Sequence, residues 1–517
     1  MSPADILIQD EIRLGCAADA IVAALPNRLS QGILRWAEES PYTLALVTQD
    51  RTYSYSDLAK AVRECIQFLE GIGVRNGDRV MLVCENGASA VLLFLALSEL
   101  KAVAVIVNAR LSEREVELIF DDCEPRRIIY TVADSVAAVN HANARSCQKV
   151  EMSFGVLMLS DETETLNISN ELKPEEQVLA MIYTTGTTGK PKGVMLSQRN
   201  LTFMAFVSGK LRMLTAKDEI YCVLPISHVF GLSAVCCSVL FAGATLHVVP
   251  RFEAKEALRA LSEDGITGFL GVPTMYALLL EVMPKSWSAD KLRFLYAGGS
   301  PLDPNLKLRV ESQFGMVLHN GYGLTETAPT ICQTRIYAPQ NDCSVGYPLP
   351  GLDIEIRAKD GEEVVPGDTG ELWVRGPNVM LGYYRQEEMT RQVLKNDWFN
   401  TGDLVYQNDM GAIFIAGRTK ELIIRSGFNV YPPEIEAILC DFPGVSVSAV
   451  VGREREGDEE ILAFIQTAPG RRVDISALLS FARTKLAAYK IPTSIVTLDE
   501  LPASPSGKVL KHRLLEM

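Results

Sequence analysis

Residues 183–193, YTTGTTGKPKG, combine glycines, threonines and lysines directly after the apolar strand pattern VLAMI. Glycine lets a backbone approach a ligand closely, and threonine hydroxyls, main-chain N–H groups and lysines can hold phosphate oxygens. The run is not a Walker A loop, because Thr184 stands where that loop needs glycine and Pro191 follows the lysine. It predicts a phosphate-binding loop, and the alternative is a surface loop rich in glycine and threonine.

Four further motifs follow in order: GYGLTET at residues 321–327, FNTGD at 399–403, GRTKELIIRSGFNVYPPEIE at 417–436 and PSGKVLKHRL at 505–514. With the first loop, they resemble the motifs of the adenylate-forming superfamily, which contains acyl-CoA synthetases, 4-coumarate–CoA ligases, firefly luciferases and the adenylation domains of peptide synthetases. The resemblance covers the chain from residue 183 onward. One such motif is moderately specific, whereas five in the right order identify the chain as a member.

The elements that position these motifs are apolar strands separated by amphipathic helices, which favours parallel sheets covered on both faces. One helix is predicted to begin at Asp57 with Ser56 as its cap and to stop at Gly71 and Gly73. Near Asn341 the strands shorten and glycine and proline become dense, which predicts a β-rich subdomain over about residues 341–415. The predicted fold is α/β, with an N-terminal domain of doubly wound βα sheets over 1–419. A small, mobile α+β domain over 420–517 follows it.

Composition excludes several other classes of protein. The net charge of −14 disfavours nucleic acid as a partner. Eleven scattered cysteines without a C-x-x-C pair indicate a reducing compartment, so we expect a cytoplasmic protein. The apolar stretch 232–250 is long enough to span a membrane. However, Gly243 and the following LHVV favour a buried helix and strand, so we expect no integral membrane span.

The resemblance implies a two-step reaction with ATP, Mg²⁺ and coenzyme A. A carboxylate attacks the α-phosphate of ATP to give an acyl-adenylate, and a thiol then displaces AMP. Thr325 would donate to the α-phosphate, Glu326 would be the metal ligand, and Tyr322 would stack on adenine. The whole implied ATP site comprises Thr184, Thr185, Gly186, Thr187, Thr188, Gly189, Lys192, Gly298, Gly299, Ser300, Asn320, Gly321, Tyr322, Asp403 and Arg418.

The same resemblance assigns roles to the last hundred residues. Lys508 would be the catalytic lysine that bridges the attacking carboxylate and the α-phosphate, although its local sequence alone is typical of a solvated tail. Lys420 would be the hinge about which the C-terminal domain rotates between the two half-reactions. Ser426 and Gly427 would then contact CoA at the thiol tunnel.

Segments that resemble the family's substrate wall predict an acid pocket formed by His228, Phe230, Gly231, Ser233, Tyr276, Gly299 and Gly323. We expect His228 to act in gating rather than as a general base, since the substrate acid is already ionised. Gly298 and Gly299 leave space for a flat ring or a chain. The N-terminal architecture and short C-terminus resemble those of the coumarate-ligase branch, and this resemblance implies an aryl or hydroxycinnamate-like acid; a medium-chain fatty acid is the alternative.

The sequence therefore predicts an AMP-forming carboxylic acid–CoA ligase. Two alternatives remain: transfer of the acyl group to a carrier-protein phosphopantetheine, and a non-catalytic nucleotide-binding protein. Retention of Thr325, Glu326, Asp403, Arg418 and Lys508 together argues against the non-catalytic reading. The sequence leaves the acid unidentified, and it leaves open whether the protein is a monomer or a homodimer.

Overall fold

The computed structural model describes residues 2–163, 173, 176–185, 191–425, 428–455, 458–467, 471–503 and 509–515. Within them the α-helices are α1 (Pro3–Leu14), α2 (Ile21–Ala24), α3 (Leu29–Leu34), α4 (Trp36–Glu39), α5 (Tyr55–Gly71), α6 (Ala88–Leu100), α7 (Glu113–Cys123), α8 (Val136–Asn143), α9 (Gln198–Leu211), α10 (Ser238–Phe241), α11 (Ala254–Glu263), α12 (Pro273–Val282), α13 (Pro304–Phe314), α14 (Glu387–Val393), α15 (Pro432–Cys440), α16 (Ile475–Lys485) and α17 (Lys511–Leu514). Short 3₁₀ turns include Thr325–Thr327 and Thr419–Glu421, and Phe230–Cys237 forms a π-helix.

The strands described are β1 (Leu44–Val47), β2 (Thr52–Ser54), β3 (Arg79–Cys84), β4 (Val103–Asn108), β5 (Arg127–Tyr130), β6 (Cys147–Met152), β7 (Gly155–Ser160), β8 (Val178–Thr185), β9 (Pro191–Ser197), β10 (Glu219–Cys222), β11 (Thr245–Val248), β12 (Gly268–Gly271), β13 (Phe294–Gly298), β14 (Leu318–Gly323), β15 (Thr330–Gln333), β16 (Tyr347–Pro348), β17 (Asp353–Arg357), β18 (Gly370–Arg375), β19 (Gly382–Tyr383), β20 (Leu394–Lys395), β21 (Trp398–Gln407), β22 (Ile413–Arg418), β23 (Ile423–Arg425), β24 (Phe428–Val430), β25 (Val445–Arg455), β26 (Asp458–Thr467) and β27 (Ser494–Leu498).

Two large sheets form the N-terminal domain. One has the strand order β19-β9-β8-β4-β3-β5-β7-β6 and is parallel from β8 to β5. The other has the order β16-β15-β14-β13-β12-β10-β11-β1-β2 and is parallel from β14 to β1. Strands such as β3 are buried throughout because helices cover both faces. The carboxyl ends of β13 and β14 therefore carry the Gly298 and Gly321 segments to one edge, where ligands bind in such sheets.

Smaller antiparallel sheets follow. Strands β17, β18, β21 and β20 form one sheet, with β22 added to β21. Farther along the chain, β25, β26 and β27 form a sheet whose apolar core includes residues of α15 and α16. The α/β architecture with a large N-terminal and a smaller C-terminal domain is the predicted fold.

Two local predictions can be compared with the structure. Helix α5 begins at Tyr55 rather than Asp57, because Ser54 caps it in a reciprocal pair with the Asp57 carboxylate; the prediction of Ser56 as the cap was wrong. The stretch 232–250 contains the buried π-helix, α10 and β11, as predicted. No helix in the described ranges has both the length and the apolar character needed to cross a membrane.

Candidate active site

The loop rich in glycine and threonine joins two paired strands. Strands β8 and β9 are antiparallel, and Thr184 pairs with Lys192 at their open end. The Tyr183 hydroxyl donates to Asp122 Oδ2 at 2.5 Å, which fixes β8 to α7. Gly186, Thr187, Thr188 and Gly189, together with the side chain of Thr185, lie outside what the structure describes. Their predicted phosphate contacts stay a prediction.

Lys192 lies among groups that prepare the site for an anion. Burial and the neighbouring Lys420 lower the pKa of Lys192, while Glu326 opposes the shift. The lysine Nζ also lies 5.4 Å from the centroid of the Tyr383 ring. The ammonium groups of Lys192 and Lys420 lie close to each other at the end of the predicted phosphate-binding loop, residues 183–193, which we call the phosphate-type loop. Two such charges favour the binding of a polyanion between them.

The GYGLTET motif runs along β14 and turns through the 3₁₀ segment Thr325–Thr327. The Asn320 side-chain amide donates to the carbonyls of Cys343 and Ser344, both at 3.3 Å, which holds the strand in place. A Cβ on Gly323 would lie 1.7 Å from the carbonyl oxygen of Pro329, so only glycine fits there. Gly323 therefore permits the close turn that presents Thr325 and Glu326.

Glu326 accepts a hydrogen bond from the hydroxyl of Tyr383 at 2.9 Å. Burial and Glu326 itself raise the pKa of Tyr383, so the phenol stays protonated and acts as a donor. Tyr383 lies on β19, which pairs with β9 beside Lys192. Tyr383 was not among the residues predicted from the sequence, since the Gly-Tyr-Tyr at residues 382–384 stands outside the recognised motifs.

The Glu326 carboxylate is the kind of ligand that magnesium binds. Among the described residues, no cluster of three or more histidine, cysteine or acidic side chains could enclose a metal ion. Mg²⁺ is commonly held by one or two carboxylates together with substrate phosphates. Glu326, oriented by Tyr383, suits such a single carboxylate ligand.

Asp403 connects the two halves of the predicted nucleotide site. Its Oδ2 accepts from the Tyr322 hydroxyl at 2.5 Å and its Oδ1 pairs with Arg418 Nε at 3.0 Å. Asp403 and Arg418 are direct neighbours across β21 and β22. Burial opposes the charge on Arg418, but Asp403 and other nearby groups, led by Glu421, together outweigh it, and the pKa of Arg418 is raised. The structure thus brings Tyr322 together with Asp403 and Arg418, which lie 81 or more residues later in the sequence.

His228 stands immediately before the π-helix and is exposed. The main-chain N–H of Phe230 donates to His228 Nδ1 at 3.3 Å. In the neutral ring this leaves the proton on Nε2, which can donate to an anion. A Cβ on Gly231 would lie 2.3 Å from the carbonyl of Pro225, so the chain can enter the helix only with glycine here.

The Phe230 ring lies over two glycines at the end of β13. A Cβ on Gly298 would lie 3.2 Å from this ring, and one on Gly299 would contact both Phe230 and Val272. Ser300 follows directly and is half-buried. The π-helix and β13 therefore face each other as the two walls of the predicted acid pocket.

Two other residues predicted for the pocket are placed differently. Ser233 is fully buried, and its hydroxyl donates to the Ala328 carbonyl at 2.6 Å, which ties the π-helix to the Thr325 turn. Tyr276 packs in the core cluster with Leu295 and Ala297, on the face of β13 opposite Tyr296. The structure therefore does not bring Tyr276 to the wall formed by Phe230.

Lys420, the predicted hinge residue, is exposed within a 3₁₀ turn. The preceding Thr419 donates through its hydroxyl to Glu371 at 2.9 Å. Ser426, Gly427 and Lys508 lie outside the described residues.

Lys511 secures the segment that follows Lys508. It donates to Glu421 at 2.9 Å and forms a salt bridge with Glu436 at 2.8 Å. Burial opposes the charge, but the two carboxylates prevail and raise the pKa of Lys511. This ion triad connects the C-terminal segment to Glu421, which follows the predicted hinge Lys420, and to Glu436 on helix α15.

Comparison with known proteins decides the family. A family model described as "AMP-binding enzyme" matches residues 33–384, and one described as "AMP-binding enzyme C-terminal domain" matches residues 434–508. The chain belongs to the AMP-binding enzyme family. This membership confirms the predicted superfamily and the predicted enzyme class, an AMP-forming acid–thiol ligase.

This AMP-binding enzyme matches its relatives nearly end to end. It is 34% identical to a feruloyl-CoA synthase of Amycolatopsis sp, over 93% of this chain and 98% of the relative. It is also 34% identical to an indoleacetate–CoA ligase of Aromatoleum aromaticum, over 95% and 98% of the two chains.

Two solved structures show the same fold. ATP-bound MatB from Rhodopseudomonas palustris has a TM-score of 0.82 at 27% identity, and the match covers 94% of this chain and 98% of MatB. The o-succinylbenzoate coenzyme A synthetase (MenE) of Bacillus subtilis, in complex with ATP and magnesium ion, has a TM-score of 0.80 at 28% identity, covering 94% and 99%.

Proposed function

We propose that this enzyme activates an aryl or hydroxycinnamate-like carboxylic acid with Mg²⁺–ATP and transfers the acyl group to coenzyme A. The arrangement that carries the proposal is the convergence of Lys192, Glu326 and Tyr383 beside the phosphate-type loop, next to the pair of Tyr322 and Asp403. Together these groups suit a nucleoside triphosphate, with cations for the phosphates and a buried carboxylate for the ribose.

The nucleotide would be held from both ends. Asp403, whose two oxygens lie beside Tyr322 and Arg418, would accept from the ribose hydroxyls, since each carboxylate oxygen can accept more than one hydrogen bond. Lys192 and Lys420 would offset the charge of the outer phosphates. Mg²⁺ held at Glu326 would neutralise the charge that develops between the phosphates.

In the adenylation step, the acid carboxylate attacks the α-phosphorus and pyrophosphate leaves. Thr325 would donate to the α-phosphate, and Lys508 would bridge it and the attacking oxygen. Donors aimed at developing charge in this way account for much of the catalysis of such reactions. The Nε2–H of His228 would face the substrate as a donor, which agrees with a gating role rather than general-base catalysis.

The second step needs the C-terminal domain, taken as residues 420–517, to rotate about Lys420. Ser426 and Gly427 would then border the thiol tunnel, and the CoA thiolate would displace AMP from the acyl carbon. A cytoplasmic location is part of the proposal and is supported by eleven cysteines that are all free.

The relatives support an aromatic acid, since two of them are named for feruloyl and indoleacetate substrates. The test is AMP formation, with ATP, Mg²⁺ and CoA, across benzoates, cinnamates and C6 to C16 alkanoates. We expect aromatic acids to give the highest kcat/KM. A kcat/KM for alkanoates about tenfold higher, a difference of 1.4 kcal/mol, would reject the aromatic class. Acid-dependent pyrophosphate release without CoA-dependent AMP turnover would reject CoA as the acceptor.

A further inference from the structure

Arg212 is a buried arginine that has no carboxylate partner in the described part of the chain. It follows α9 and is only 3% exposed. Its Nη1 donates to the main-chain carbonyl of Ala234, and its Nε has no hydrogen-bond partner among the described residues. Burial lowers the pKa of the guanidinium to about 10, although Tyr296 opposes the shift. A buried charge is costly unless an acceptor compensates it.

Arg335 shows how this protein satisfies another buried arginine. The Nε and Nη2 of Arg335 both donate to the carboxylate of Asp10, and its Nη groups also reach main-chain carbonyls, including that of Pro348 at 2.7 Å. Arg212 donates to one main-chain carbonyl, that of Ala234, instead of such a set. That carbonyl already accepts from the Ser238 hydroxyl at 2.7 Å, so it does not require the arginine.

The position of Arg212 relates it to the acid pocket. Its guanidinium carbon lies 5.2 Å from the ring centroid of Tyr296. Tyr296 precedes Gly298 by two residues on the same face of β13, and Ala234 follows Phe230 by about one turn of the π-helix. Because two strand residues span about 7 Å, Arg212 and Tyr296 form the next layer beneath the contact of Phe230 with Gly298.

We propose that Arg212 forms the inner end of the acid pocket and selects acids that carry an acceptor oxygen at the end far from the reacting carboxylate. The oxygen belongs to a hydroxyl or to a second carboxylate. The inference rests on the proposed function, since it requires an acid bound between the π-helix and β13.

The chemistry of the guanidinium supports this selection. Its planar fork of N–H donors matches an oxygen acceptor and binds a carboxylate through two parallel hydrogen bonds. The Tyr296 hydroxyl donates to the Thr334 carbonyl at 2.7 Å, so the tyrosine contributes its ring to this layer while its hydroxyl is already engaged. A plain ring or alkyl end at the same place would leave the buried charge with no acceptor besides the Ala234 carbonyl, which disfavours such acids.

The experiment compares matched acids in three series: benzoate, cinnamate and hexanoate. Each parent acid is tested against partners that have a hydroxyl or a carboxylate at the far end, such as 4-hydroxycinnamate, 4-carboxycinnamate and adipate. The readout is kcat/KM for AMP formation with CoA. We expect the oxygen-bearing acid to be preferred by about 10- to 100-fold in the series that the enzyme accepts, as for a hydrogen bond to a charged group.

The variant Arg212→Met tests the residue itself, because methionine fills a buried site without a charge. We expect it to lose the preference, so that kcat/KM falls more for the oxygen-bearing acid than for its parent and the ratio of the two approaches one. Arg212→Lys keeps the charge without the fork and should retain part of the preference for the dicarboxylic acid. Ser238→Ala, which removes the other donor to Ala234, should leave the preference unchanged.

Three results would overturn the inference: equal use of parent and oxygen-bearing acids by the natural protein, an equal loss for all acids in Arg212→Met, or an unchanged preference in that variant. If the melting curve shows that Arg212→Met does not fold, Arg212→Lys serves as the test instead. A reduced preference for the oxygen-bearing acids in Arg212→Lys would support the inference, and an unchanged preference or an equal loss for all acids would overturn it. The absence of AMP formation with every acid would instead contradict the proposed function.

Discussion

The hydroxyl of Tyr383 donates to Oε1 of Glu326 at 2.9 Å, so a residue on the strand beside the phosphate-type loop orients the carboxylate expected to hold the metal. The same tyrosine ring lies 5.4 Å from Lys192 Nζ. A single aromatic side chain therefore contacts both the expected metal ligand and the expected phosphate ligand. This couples the metal site to the loop.

We expect Tyr383→Phe to weaken Mg²⁺–ATP binding, because outer-shell partners of metal ligands are worth about 10- to 100-fold in metal affinity or activity. The change removes only the hydroxyl that orients Glu326 and keeps the ring beside Lys192. Calorimetric Kd values for ATP should be measured with and without Mg²⁺, and only the Mg²⁺-dependent part should change. Tyr384→Phe is the matched control, since Tyr384 packs against Arg79 and Arg385 instead. An equal loss in the two variants, or a loss that is the same without magnesium, would contradict the role.

Asp403→Asn should raise the KM for ATP by about tenfold or more, because hydrogen bonds to a charged group are worth about 1.5–3 kcal/mol. It should also reduce discrimination between ATP and 2′-deoxy-ATP, since the amide keeps one acceptor oxygen instead of two. Asp353→Asn, which alters an exposed ion pair with Arg375, serves as the control and should behave like the natural protein. If Asp403→Asn discriminated between ATP and 2′-deoxy-ATP as well as the natural protein does, Asp403 would not bind the ribose.

Lys508→Ala should lower the adenylation rate by about 10²–10³-fold, as expected for the loss of one aimed donor. Thioester formation from preformed acyl-adenylate should change much less, because that step breaks the acyl C–O bond and neither makes nor breaks a bond at the α-phosphorus. Single-turnover assays of each half-reaction measure the two effects. Lys485→Ala, at an exposed lysine of α16, is the control. Equal losses in the two half-reactions would show that Lys508 does not have this specific role.

Lys420→Pro should impair thioester formation more than adenylation, because proline fixes φ at the proposed hinge. Lys420 also lies close enough to Lys192 to lower its pKa, so the substitution removes a charge as well. Lys420→Ala separates the two effects, since alanine removes the charge and leaves the backbone free. A greater loss of adenylation than of thioester formation in Lys420→Pro, relative to Lys420→Ala, would argue against the hinge.

The sequence predicted what depends on local pattern. The alternating apolar strands and amphipathic helices gave the two parallel sheets, and the motifs at residues 321–327 and 399–403 gave Tyr322 and Asp403, which the structure joins at 2.5 Å. The prediction of the sheets is confirmed because hydrophobic periodicity is encoded by neighbouring residues, whereas the nucleotide-binding roles of Tyr322 and Asp403 stay predictions.

The features that could not be predicted from the sequence depend on contacts between residues that are far apart in the chain. Tyr383 reaches Glu326 only because β19 pairs with β9, and no local pattern predicts that pairing. Arg212 follows α9, and a basic residue at the end of a helix is common; it is buried because this end of α9 packs against the π-helix, where Arg212 donates to the Ala234 carbonyl. Tyr276 was assigned to the pocket from its neighbourhood in sequence. In the structure it packs from α12 against Leu295 and Ala297, and side chains alternate along a strand, so these two residues lie on the face of β13 away from the predicted pocket.

The ion triad of Lys511, Glu421 and Glu436 has a consequence for any shortened form of the enzyme. Burial raises the pKa of Glu436, and the nearby Glu421 adds to that shift, so the shared ammonium is what keeps the two acids compatible. Deleting residues 509–515, which include Lys511, would leave the two like charges of Glu421 and Glu436 facing each other next to the proposed hinge. We expect such a deletion to destabilise the segment around Lys420, even though it retains Lys508.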